Sequence, residues 1–182
     1  MRYEKTTNRV ETALRSTFQA VDQWFELSHA QRSYQPTCGR WTIDQVLEHI
    51  TLTNHFLMLT LKKQVAKAEQ RSKTSPAIVD GESDLDLLDA IGERGSFGWE
   101  RPEHMEPTGQ RSSSEVRELM ANQLERCISL LKRIEDGVGT LVLTTMSVND
   151  LGKIDLYQWL YFIAQHARRH LNQLSEIRAE LE

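Results

Sequence analysis

The 182-residue sequence predicts an all-α fold, a four-helix bundle, and three observations carry that expectation. Apolar residues recur at spacings of three and four over four stretches of about 22 to 28 residues, the period of a helix with one buried face. No set of segments able to pair into a sheet is present, so helix must pack on helix. In the last stretch His166 and His170 stand four residues apart, which places them one turn above each other on one helix face.

The first helix is expected from about Thr7 to Ser28, on Val10, Leu14, Phe18, Val21 and Phe25. A linker with Pro36 and Gly39 separates it from the second, for which Thr42 is the N-cap and Asp44 suits the helix dipole. The second helix runs to about Gln70 on an apolar arc of Ile43, Val46, Leu47, Ile50, Phe56, Leu57 and Leu61. His49 sits inside that arc, whereas His55 falls among Asp44, Glu48 and Lys62 on the polar face.

Residues 71 to 112 are rich in Gly and Pro and break any long helix, with one short helix expected around Ser83 to Ile91. A connection of that length is a lid or a crossover along the bundle. A second helix of about 28 residues would be about 42 Å long, a distance an extended chain covers in about 13 residues. The third helix starts at Ser112, which has capping-box spacing to Glu115, and Gly137 and Gly139 end it. Its expected inner face is Val116, Leu119, Met120, Leu124, Cys127, Leu130, Leu131 and Ile134. The stretch Thr140 to Ile154 is read as irregular, because a lone strand there would have no partner. Asp155 then caps the fourth helix. Its stripe of Leu156, Trp159, Leu160, Ile163, Ala167, Leu171, Leu174, Ile177 and Leu181 has His170 near the middle and His166 at the edge.

The length fits one domain spanning residues 1–182. A net charge of −4 with interspersed signs shows no footprint for nucleic acid. No apolar run approaches the roughly 18 residues of a membrane span, and the N-terminus has no signal-peptide core, so the expectation is a cytoplasmic protein without a membrane partner. Two cysteines without CxxC spacing, Cys38 and Cys127, are read as reduced thiols.

His49, His166 and His170 lie on apolar faces, while His29 and His104 fall in connections. Inward imidazoles need a hydrogen-bond partner or a metal, and both remain open from spacing alone. Neutral imidazoles suit Zn, Ni or Fe, and three protein ligands leave a position for water or substrate. Gln173 shares the side of His170 and is either a contact to that ligand or a bundle-edge residue. Arg168 and Arg169 are read as a solvated face, Trp41, Trp159 and Phe56 as core with pocket lining as the alternative for one of them, and His104 as a loop residue that could swing over the site.

The segments WTIDQVLEHI at the start of the second helix, LGKIDLYQWL at the start of the last and QHARRHLNQL within it resemble the DinB or YfiT-like superfamily of metalloenzymes. The resemblance covers most of the chain and is weak over residues 71 to 112. It implies an up-down-down-up bundle with a divalent metal held by His49, His166 and His170. It further implies a hydrolase or a thiol-dependent transferase acting on a small-molecule substrate, with a low-molecular-weight thiol as co-substrate. No catalytic residue beyond the ligands is identified. The alternative is a non-enzymatic metal-binding stress-response protein that dimerises through its helix faces; a homodimer is an expectation under either reading.

Overall fold

The computed structural model describes residues 3–75, 81–93, 95 and 102–181, with the side chains of Cys38 and Asn149 excepted. The expectations for Cys38, Pro76 and Gly98 therefore lie outside the described part. Four long helices form the body: α1 (Glu4–Asp22), α2 (Ile43–Ser72), α3 (Ser113–Arg133) and α4 (Leu156–Ala179). Three of them start in a complete capping box, Thr42 with Gln45, Ser112 with Glu115 and Asp155 with Gln158, so that side chain and backbone satisfy each other's first-turn donors.

Contacts between helices set their directions. α1 packs beside α4 and α3, and α2 packs beside α3 and α4. Near the start of α1 and of α4, the Arg9 guanidinium donates to the Tyr161 hydroxyl at 3.4 Å, so these helices run the same way. The end of α1 meets the start of α3, where Arg117 pairs with Asp22 at 2.7 Å. The ends of α2 and α3 meet through Glu69 and Arg133 at 2.6 Å. Trp159 Nε1 donates to the Leu57 carbonyl at 3.3 Å while the later His166 lies against the earlier His49, so α4 runs opposite to α2. The bundle is up-down-down-up.

Helix α1 ends earlier than its apolar spacing suggests. After Asp22 the chain tightens into a 3₁₀ turn, Gln23–Glu26, that still buries Phe25. The exit is held by Arg32, which forms a half-buried ion pair with Asp44 and whose guanidinium donates to the Phe25 carbonyl at 3.1 Å and to that of Leu27. On α3, Leu119 is 37% exposed and Leu124 only half-buried, so the inner face is narrower than expected. The stretch before α4 is also corrected. Thr144–Met146 (β1) and Gly152–Ile154 (β2) form an antiparallel hairpin, Thr144 opposite Ile154 and Met146 opposite Gly152. The partner that a lone strand lacked lies in the same stretch, across a turn in which Asp150 and Gly152 take positive φ.

From Leu156 to Ala167 every residue of α4 is buried, so its amphipathic stripe describes only its second half. Three neighbours close around it: α1, α2 and the connection, whose expected short helix is a 3₁₀ segment, Asp86–Gly92. Leu88 and Ile91 bury against the core, and Ser83 Oγ donates to the Asp155 cap at 2.6 Å. At the other end of the cap, Tyr157 donates to the Ile134 carbonyl and accepts from Gly137 N at 3.1 Å. A Cβ on Gly139 would sit 2.7 Å from the Tyr157 ring, so that close approach requires glycine. Among the described residues no helix is long and apolar enough to cross a membrane.

Two outcomes follow. Asp155→Ala removes the α4 cap and the Ser83 bond and should lower unfolding free energy by about 1 to 2 kcal/mol in urea titrations, with Asp155→Asn retaining most of it. Burial pushes the Asp155 carboxyl above its ordinary range, against bonds from Gln158, Ser83 and Tyr157 that pull it down. A raised folded-state value means that the contribution present below the unfolded-state pKa declines as pH rises through the folded one. Asp155→Asn lacks that decline, so its deficit against wild type should narrow as pH rises through the acid range. Burial also pushes the Cys127 thiol up to about 12. Since the thiolate is the nucleophile, native protein should leave Cys127 unalkylated at neutral pH, and labelling followed by mass spectrometry should find it modified only under denaturant.

Candidate metal centre

The Thr42 cap starts α2 so that His49 falls two turns in, on the side facing α4, and the Asp155 cap starts α4 so that His166 and His170 face back. The three imidazoles form one cluster. Ring centroids lie 5.4 Å apart for His49 and His166, 4.8 Å for His49 and His170, and 4.6 Å for His166 and His170. One ring nitrogen from each lies within 4.8 Å of the others. His166 is 0% and His49 3% exposed, whereas His170 is half-buried. That order reverses the helical-wheel expectation, because depth along the axis outweighs angle. His166 lies in the part of α4 enclosed on every side, and the helix emerges after Ala167.

The outward nitrogens fix the tautomers. His49 Nδ1 lies 2.7 Å from the Met105 carbonyl, which can only accept, so Nδ1 carries a proton and in the neutral imidazole Nε2 keeps the lone pair. His170 Nδ1 lies 2.9 Å from Gln173 Oε1, which has the same effect. Gln173 is therefore a contact to this imidazole and not merely a bundle-edge residue. His166 Nε2 and His170 Nε2 are 3.1 Å apart. Two lone pairs at that separation repel unless a proton or a cation lies between them, and three neutral nitrogens of this kind fit a borderline divalent ion. Burial first, then the charges that His170, His49 and Arg169 would carry, hold the His166 pKa well below the usual histidine range, so it is neutral and able to donate its lone pair.

Aromatic rings surround the cluster. Phe162 stacks on His166 at 6.4 Å, and Trp41 tilts against His49 at 4.8 Å. Trp41 is half-buried, packed against the core and beside His49, so of Trp41, Trp159 and Phe56 it is the aromatic that lines the site; Trp159 is buried as expected. His104 is exposed, with its ring on half-buried Phe56 at 4.2 Å and not over the cluster. His55 is exposed as expected. Arg168 is exposed, but Arg169 donates to the Glu93 carbonyl at 2.8 Å and ties α4 to the connection. The sequence reading missed the Met105 carbonyl, which no residue type could have flagged, since every residue carries one.

The family model described as the DinB superfamily matches residues 9–174, a span that includes all three histidines. The chain belongs to the DinB superfamily. The Bacillus subtilis (strain 168) protein YuaE, itself described only as uncharacterized, is 26% identical to this DinB-superfamily chain over 171 residues, covering 89% of this chain and 94% of YuaE. No solved structure matches.

Proposed function

We propose that His49, His166 and His170 hold one divalent ion, Zn, Ni or Fe, in an enzyme that hydrolyses a small molecule or joins a low-molecular-weight thiol to an electrophile. The observation that carries this reading is the convergence of three imidazole nitrogens within 4.8 Å of one another, with no carboxylate in the cluster among the described residues. Three protein ligands suit an ion with a remaining position for an exchangeable ligand, the pattern of catalytic more than structural sites. Such an ion, when bound, supplies Lewis acidity and lowers the pKa of the nucleophile it carries. The chain's own residues do the rest. Met105 and Gln173 hold the Nδ1 protons of His49 and His170, which turns the Nε2 lone pairs inward. Burial keeps His166 neutral, and Trp41 and Phe162 screen the cluster from water. Because all three ligands are neutral, the ion retains its full charge and favours an anionic partner such as a thiolate.

Two measurements test this reading. Protein purified without a histidine tag should contain one equivalent of metal, and adding Zn²⁺ or Ni²⁺ to the stripped protein should raise its melting temperature. At 100 times Kd the stabilisation is about 2.7 kcal/mol, and His49→Ala, His166→Ala and His170→Ala should each lose most of it. Metal-loaded wild type should also turn over at least one thiol and electrophile pair, or one hydrolysable substrate, in a broad screen. Activity no higher than that of His49→Ala, with stoichiometric metal retained, would replace the enzyme by a non-catalytic metal-binding protein.

A further inference from the structure

The buried carboxylate beside the first histidine is explained by neither the bundle core nor the imidazole cluster. Glu48 is 3% exposed, and a carboxylate removed from water is costly unless hydrogen-bonded. Both its oxygens are satisfied from the connection: Thr108 Oγ1 donates to Oε1 and Gly109 N to Oε2, each at 2.8 Å. The next residue on α2, His49, donates from Nδ1 to the Met105 carbonyl of the same segment at 2.7 Å. Met105 is itself buried, 8% exposed. Adjacent positions of one helix thus grip a strap at points three to four residues apart.

The strap is stiff between those points. Glu106 precedes Pro107 and takes the extended backbone, φ −74° and ψ 139°, that a following proline enforces. Gly109 has φ +67°, a left-handed conformation that glycine adopts without strain. Pulling residues 108–109 onto Glu48 therefore sets where the carbonyl of residue 105 lies, and that carbonyl sets the tautomer and orientation of His49.

We propose that Glu48 is a positioning residue for His49, acting through the strap Met105–Gly109, and thereby a determinant of metal affinity. The inference rests on the metal-site reading, but its first consequence is independent of metal. A fastening that only stabilised the connection would alter melting temperature; one that positions His49 must alter the imidazole itself.

The test combines long-range ¹H–¹⁵N spectra of the histidine side chains in metal-stripped protein with Zn²⁺ affinity from competition against a chromophoric chelator. Wild type should show His49 as the single Nδ1–H tautomer, assigned by comparison with His49→Ala. Glu48→Ala should give a tautomer mixture and at least a ten-fold loss of Zn²⁺ affinity, within the roughly 10- to 100-fold range of groups that orient metal-bound histidines. Glu48→Gln, which keeps one acceptor oxygen, should fall between. Should Glu48→Ala not fold, Thr108→Val carries the test, since it removes one of the two bonds at an exposed position of the strap, and it too should shift the tautomer and weaken Zn²⁺ binding. An unchanged tautomer with Zn²⁺ affinity within two-fold of wild type in a folded variant overturns the proposal. A tautomer shift in a protein whose wild type binds no Zn²⁺ retires the metal reading while upholding the hold of Glu48 on His49.

Discussion

A helix can bury its whole circumference only when neighbours cover every side and every polar group on it finds a partner within the protein. α4 meets the first condition from Leu156 to Ala167 and much of the second, and much of the remaining structure answers to it. Its buried Gln158 donates to the Asp84 carbonyl at 2.8 Å, and Tyr161 and Gln165 share the Asp89 carboxylate at 2.7 and 3.1 Å. Arg9 of α1 completes that group by pairing with Asp86 and with Asp89 at 3.1 Å. The connection between α2 and α3 is thus a wall of the bundle over residues 81–93. His166 is wholly buried in this enclosure, where its ring meets those of His49 and His170.

The connection divides its work between the two helices that carry histidines. Its first described part, through Glu93, fastens to α4: to the cap at Ser83, to the polar face at Asp84 and Asp89, and to Arg169 at its end. Its last part, from Met105 to Gly109, fastens to α2 at Glu48 and His49. A metal site made from two helices needs both held at a fixed separation, because ligand geometry tolerates little displacement. Here a single segment of chain bonds to both helices within one or two turns of the histidines, which ties the crossover topology of the fold to the geometry of the cluster.

Much of the fold was legible in the sequence because helices announce themselves locally. The caps Thr42, Ser112 and Asp155 were each identified from one residue and its surroundings, and each starts its helix in the structure. The three histidines were identified for the same reason, since a residue's angle on a helix is known once the helix is. The misreadings share a different cause. The 144–154 hairpin needed a partner found several residues on, Leu119 depended on how far α3 is covered, and the depths of His166 and His170 depended on where the neighbours of α4 stop.

The sequence by itself determined the helices, their inward faces and the identity of the three imidazoles, because 3.6-residue periodicity and cap chemistry act over a few residues of chain. Only the tertiary structure decided which nitrogen of each ring faces the cluster, which imidazole is deepest and what Trp41, Gln173 and Glu48 touch. Those depend on a backbone carbonyl at Met105, on a strap about 60 residues away from Glu48 along the chain and on the depth to which α4 is enclosed. None of these is a property of a residue's type or of its neighbours in sequence.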